Sequence, residues 1–171
     1  ASMQVLHMRV DWWNYQSFGG ILMQWIMKPT ALDALMVANE LRPADALEVM
    51  LSHGVSPHQA VRSSWSESDL CRGIADTDGR PVGLCGVVDH RIWMLATPGL
   101  TATKTGRRQL IVEGRKWVDD CIKELGGPLF NQVYSKNSRS IRWLKSLGFS
   151  VGTPHQHGPS GALFCDFWRF R

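Results

Sequence analysis

Residues 129–149, LFNQVYSKNSRSIRWLKSLGF, decide how the chain folds. Residues 129–134 carry the apolar and aromatic content of a short buried strand, and Asn137 stands where a helix N-cap is wanted directly after it. In the helix that follows, Ile141, Leu144 and Leu147 recur at three-residue steps while Arg139, Arg142 and Lys145 fall on another side. One face should pack and the other should be hydrated. Gly148 then occupies the position past a helix end where glycine stops the run.

Working outward, residues 106–125 predict a long helix whose stripe is Leu110, Gly114, Trp117, Val118, Cys121 and Leu125, stopped by Gly126-Gly127-Pro128. Before it, three strands are expected at 70–75, 80–88 and 91–96. A hairpin at Asp76-Thr77-Asp78-Gly79 joins the first two, and a tight turn at Asp89-His90 joins the last two. Gly83 and Gly86 inside the middle strand weaken it unless something lies close to the backbone there. Strand, helix, strand and helix from residue 91 onward make a right-handed crossover attached to an antiparallel meander.

Two further strands are expected at 150–153 and 163–169, joined by a loop over 154–161 rich in Gly, Pro and His. Near the other end, Leu32, Leu35, Met36 and Leu41 recur near helical spacing and Arg42-Pro43 breaks the run. Residues 44–51 resume it, with Leu47, Met50 and Leu51 apolar and Asp45 and Glu48 read as exposed. Ser56-Pro57 starts a third helix, serine capping and proline in the first turn, running to about residue 63.

Composition narrows the function classes. A chain of 171 residues that is 44% hydrophobic makes one domain with one core, and a net charge of +4 suits a phosphorylated small ligand as well as nucleic acid. Nucleic-acid binding also wants basic residues interleaved with exposed aromatics, and beyond residue 26 the tryptophans do not fall that way. The four cysteines, Cys71, Cys85, Cys121 and Cys165, form no close pair, which points to reduced thiols in a cytoplasm. No apolar run approaches the roughly 20 residues of a membrane helix. His155-Gln156-His157 matches no zinc spacing, so no metal is expected.

Residues 1–26 form an aromatic-rich extension to a domain at 27–171. Trp12, Trp13, Tyr15, Phe18 and Trp25 crowd it, with Arg9 and Asp11 its only charges. The opening Ala-Ser-Met suggests a vector remnant, and Met23 or Met27 is an alternative start. Such a segment is expected to cover an interface, on the domain or on a second copy of the chain in a homo-oligomer.

The strand, asparagine-started helix and terminal Gly-Phe of 129–149 resemble the last α/β unit of the GNAT superfamily, the acyl-CoA-dependent N-acyltransferases. Residues 131–149, with SIRWLKSLGF at their end, and LRPADALEV at 41–49 are similar to GNAT-like proteins of short-tailed bacteriophages, some known as internal virion protein A. The resemblance implies an α/β (α+β) fold with a mixed, mostly antiparallel, splayed sheet and helices on both faces. It implies acetyl-CoA as cofactor, opening helices on the acceptor side, and work in the cytoplasm of an infected bacterium or in the virion. It leaves two classes: an acyltransferase, or a non-catalytic component that binds a virion or host protein.

The resemblance also places a site. The turn at 101–108, Thr-Ala-Thr-Lys-Thr-Gly-Arg-Arg, offers free N–H groups at a helix start, and there the CoA pyrophosphate would sit on Thr105, Gly106, Arg107 and Arg108, unless the basic residues only solvate the helix. The strand ahead of it, with Trp93, Met94, Leu95 and Ala96, would part from the strand holding Asn131 and admit the pantetheine arm. Asn137 at the next helix start belongs to this cofactor set. Asn131 must find a partner inside its strand, either the ligand or a neighbouring loop. Leu144 stands where many such enzymes carry an acidic tyrosine, so Tyr134 is the substitute acid, and His90 is the conceivable base.

Overall fold

The computed structural model describes residues 23–171. Residues 1–22, which hold most of the aromatic extension, lie outside them. In chain order the elements are β1 (Gln24–Ile26), α1 (Ala31–Asn39), α2 (Pro43–His53), α3 (Pro57–Glu67), β2 (Leu70–Ala75), β3 (Pro81–Val88), β4 (Arg91–Ala96), a 3-10 turn (Pro98–Thr101), α4 (Lys104–Leu125), β5 (Leu129–Tyr134), α5 (Ser138–Ser146), β6 (Ser150–His157) and β7 (Ala162–Arg169). The strands form one seven-stranded sheet in the order β1-β2-β3-β4-β5-β7-β6. Every neighbouring pair is antiparallel except β4 and β5. Residues 24–26, read within the extension, pair with β2 as an edge strand.

The local signals act where expected. Thr30 and Ser56 close capping boxes at the starts of α1 and α3, and proline opens α2 and α3. Asp89 and His90 both adopt positive φ, at 45° and 63°, the backbone a two-residue hairpin needs between strands of right-handed twist. The predicted loop at 154–161 is a correction: β6 continues to His157 and the connection shrinks to a turn. Pro154 is tolerated there because β6 is an edge strand and its register shifts between Val151 and Pro154, which leaves no ladder bond for the missing N–H.

Helices cover both faces. Val118 and Cys121 of α4 and Leu144 and Leu147 of α5 pack with Ile92, Leu129, Val133 and Phe167 on one side. Ala34, Val37 and Ala38 of α1 and Ala60 and Val61 of α3 pack with Leu84 and Leu95 on the other. The predicted α1 stripe is a second correction. Leu32 and Leu35 are exposed while the small residues face the sheet, because α1 lies against α3 closely enough to exclude larger side chains.

Candidate functional site

The register of β4 and β5 makes the site. Their parallel pairing consists of one residue pair, Arg91 with Phe130, and beyond it the strands separate. The Phe130 N–H still donates to the His90 carbonyl at 3.1 Å. One step further the ladder is already broken, and Asn131 repairs it with its side chain: Nδ2 donates to the Ile92 carbonyl at 2.9 Å, and Oδ1 accepts the Gln132 N–H at 2.9 Å. The partner of Asn131 is therefore the facing strand rather than a loop.

At the wide end α2 lies across the opening. Asp45 Oδ2 accepts the Ala96 N–H at 2.9 Å, and the Arg42 N–H donates to the Ala96 carbonyl at 2.8 Å. Glu48 Oε1 accepts the Tyr134 N–H at 3.2 Å and Oε2 accepts from Asn137 Nδ2 at 2.9 Å. Two carboxylates thus replace the strand partners that β4 and β5 lost at this end, since a buried N–H left alone costs about 1–3 kcal/mol. Neither acid is exposed as expected. Asp45 is 6% exposed and held by the Arg42 guanidinium, while Glu48 is half-buried in the opening. Burial pushes both above the ordinary carboxylate range, with Arg42 opposing the shift at Asp45 and the Asn137 and Tyr134 donors opposing it at Glu48.

Between the repaired throat and the bolted end, strand alternation turns the N–H and C=O of Met94 toward the gap, where β5 has moved away. A cavity of about 460 Å³ occupies this space and runs through the sheet. Its wall on the α2 and α3 side includes Glu48, Ser52, His53, Gln59, Ser63 and Arg91. Its wall on the α4 and α5 side includes Leu110, Trp117, Trp143, Leu144 and Leu147.

Helix α4 lines the cavity from Leu110 onward, and its first turn lies ahead of that segment. There Thr103 is the N-cap, its hydroxyl accepting the Gly106 N–H at 3.0 Å, and Arg107 donates to the Thr101 carbonyl at 2.8 Å. This leaves the N–H groups of Lys104 and Thr105 without an acceptor among the described residues, at the positive end of a long helix and beside exposed Arg107 and Arg108. A Cβ on Gly106 would come within 2.9 Å of Thr103 Oγ1, so glycine keeps the cap closed.

Other candidates separate. Tyr134 lies at the open end, its ring tilted 5.5 Å from that of Phe164. Asn137 caps α5 by accepting the Ser140 N–H at 3.2 Å and is the anchor of Glu48. His90 sits at the closed end of the gap with its Nδ1 against the Pro128 carbonyl at 2.9 Å. His155 Nε2 pairs with Asp166 at 3.1 Å on the β6–β7 edge, and His157 packs on Phe164 and faces His53. Among the described residues no group of His, Cys, Asp and Glu could hold a metal ion, and no helix is long and apolar enough to cross a membrane. Burial pushes the Cys71 thiol up to about 11 and the Cys121 thiol up to about 12, so neither is a thiolate near neutral pH.

The chain superimposes on solved structures over most of its length. A GCN5-related N-acetyltransferase from Kribbella flavida superimposes with a TM-score of 0.61 at 17% identity, over 88% of this chain and 98% of that one. This is the GNAT fold. Spermidine N-acetyltransferase from Vibrio cholerae, solved in complex with CoA and spermine, gives 0.60 at 9% identity over 87% and 95% of the two chains. The ribosomal-protein-S18-alanine N-acetyltransferase of Escherichia coli gives 0.54 at 17% identity over 86% and 92%. No family model and no curated protein matches the sequence. The GNAT likeness thus rests on backbone topology, and it agrees with the mixed, splayed sheet expected from residues 129–149.

Glu48 is the residue that sequence reasoning missed. Its signal was present as Arg42-Pro43-Ala44-Asp45-Ala46-Leu47-Glu48, two acids one helical turn apart behind an arginine at the N-cap. Nothing local says that this face of α2 meets an open sheet.

Proposed function

We propose that the protein is an acyl-CoA-dependent N-acyltransferase with acetyl-CoA as donor. The observation that carries this reading is the parting of β4 from β5, with the Met94 peptide groups facing a cavity that no strand among the described residues fills. An extended amide-bearing arm pairs with Met94 as a strand would, flanked by Leu95, Ala96 and Asn131. Its pyrophosphate takes the Lys104 and Thr105 N–H groups and the charges of Arg107 and Arg108, with Gly106 and Asn137 shaping the approach. The donor supplies an activated thioester.

The chain's own groups supply the proton transfers. Glu48 takes the proton of the acceptor amine through a lone pair that Tyr134 N–H and Asn137 leave free. The amine nitrogen bonds to the thioester carbon, the C–S bond breaks, and the leaving thiolate takes a proton from the Tyr134 hydroxyl. The acceptor enters from the α2 and α3 side, where Glu48, Ser52, His53, Gln59 and Ser63 line the wall.

Melting with and without acetyl-CoA tests the binding. Ligand at about 100 times its dissociation constant should add about 2.7 kcal/mol of stability, and no shift at millimolar ligand would refute the reading. Given binding, Glu48→Gln should lower turnover by about 10²- to 10⁴-fold at unchanged donor affinity. Gly106→Val should weaken binding by forcing Thr103 off its cap.

A second reading draws on the likeness to bacteriophage internal virion proteins and on Leu32, Leu35, Leu47 and Met50, apolar side chains exposed on α1 and α2. In it the chain keeps the scaffold without the reaction and uses that surface against a virion or host protein. Tight acetyl-CoA binding together with turnover would exclude it.

A further inference from the structure

Arg42 and Arg91 are the two basic side chains that line the cavity. Arg42 is committed, its guanidinium holding Asp45 at 2.9 Å. Arg91 is exposed, and among the described residues its guanidinium meets no carboxylate or carbonyl; it lies over the Phe130 ring, with Cζ 5.7 Å from the ring centre. Phe130 alternates along β5 with Leu129 and Val133, which pack toward α4 and α5, so the ring and the cation on it belong to the α2 and α3 side. Burial, then His157 and then the Arg91 charge lower the pKa of His53 in the last turn of α2, which sets the guanidinium near that wall. Glu48 holds the Tyr134 N–H, further along β5 from Phe130 by about 13 Å of strand. The acceptor half of the cavity thus has a proton acceptor at one end and an uncommitted cation at the other.

We infer that Arg91 determines acceptor specificity by binding a carboxylate at the end of the acceptor remote from its amine, the planar guanidinium offering paired N–H donors to the two oxygens. This rests on the acyl-CoA reading above. The Arg91 and Glu48 side chains both reach inward, so the amine and the carboxylate they hold are on the order of 10 Å apart, the span of an extended tripeptide. Phe130 supports one face of the guanidinium and leaves its donor edge free. Glu67 also lines this wall and forms no ion pair among the described residues, so its charge favours a singly charged carboxylate over a doubly charged phosphate. The acceptor class is a short amine-bearing chain that ends in a free carboxylate, such as a small peptide.

The test compares trialanine with trialanine amide, which has the same length and the same amine but no carboxylate. Each is titrated calorimetrically into the full chain, with and without saturating CoA. The wild type should bind the acid about tenfold or more tighter than the amide. In Arg91→Gln that preference should fall below about twofold while the amide affinity stays as it was, and the melting temperature should remain within about 2 °C because the residue is exposed. Arg91→Lys should keep part of the preference, having the charge without the fork. Equal affinities in the wild type, binding of neither peptide, or a preference that survives in Arg91→Gln would each overturn the inference. A wild type that prefers the acid but binds no CoA would instead count against the acyl-CoA reading and leave the Arg91 assignment standing.

Discussion

Helices α2 and α5 flank the same gap and treat their side chains in opposite ways. On α5 the apolar residues turn inward, with Leu144 7% and Leu147 3% exposed, and the basic residues turn to solvent. On α2 the acids turn inward, with Asp45 6% exposed, while Leu47 and Met50 are 49% and 51% exposed. The difference lies in what each helix meets. Helix α5 meets apolar side chains of α4, β5 and β7, where apolar burial dominates. Helix α2 meets the ends of two strands that have lost each other, and unpaired peptide groups need hydrogen bonds before they need grease.

That contrast can be broken most forcefully at Asp45. Asp45→Ala strands the Ala96 N–H and the Arg42 guanidinium together, and chemical denaturation should show a loss of about 2–4 kcal/mol. Almost as large is the expected effect of Leu144→Ala, about 2–4 kcal/mol by the same measurement, through lost burial and the cavity left behind. Leu47→Ala removes the same side chain from α2 and should change stability by less than about 0.5 kcal/mol. If the two leucine variants cost the same, the outward face of α2 is covered in solution and the comparison fails.

The smallest effect is a matter of pH. Because burial raises Glu48, the folded protein binds that proton more tightly than the unfolded chain, whose value is about 4.3. This proton therefore contributes stability at pH below the unfolded value, and the contribution is lost as pH rises through the higher folded one. Unfolding free energies at pH 5 and pH 8 should show the wild type gaining on Glu48→Gln as the medium becomes more acid. The same group as a base predicts that turnover rises with pH through a limb above the ordinary carboxylate range, a limb absent in Glu48→Gln. A gain in the opposite direction would mean that the Asn137 and Tyr134 donors outweigh burial.

Much of the fold could be read in advance because its signals are local. The residues from 129 to 149 carry their own cap, stripe and stop, and each acts as the pattern says: Asn137 caps, Ile141, Leu144 and Leu147 pack, and Gly148 takes φ 87°. The hairpins at Asp76-Gly79 and Asp89-His90 likewise depend on a few adjacent residues. The strand continued through Pro154 was hidden, since whether a proline breaks a strand depends on whether that edge has a neighbour. The helices α1 and α2 were assigned correctly as helices and wrongly by face, because apolar periodicity records which residues could be buried and not which surface the sheet presents.

The sequence by itself determined the succession of strands and helices, their caps and turns, and through the crossover after β4 a mixed sheet of this kind, because those features follow from neighbours in the chain. Only the tertiary structure decided that β4 and β5 touch at one residue pair, that Asn131 spans the throat, and that Glu48 closes the far end 86 residues from the Tyr134 N–H it accepts. Backbone groups look alike in every sequence, and which of them lose their partners is settled only when the strands are set side by side.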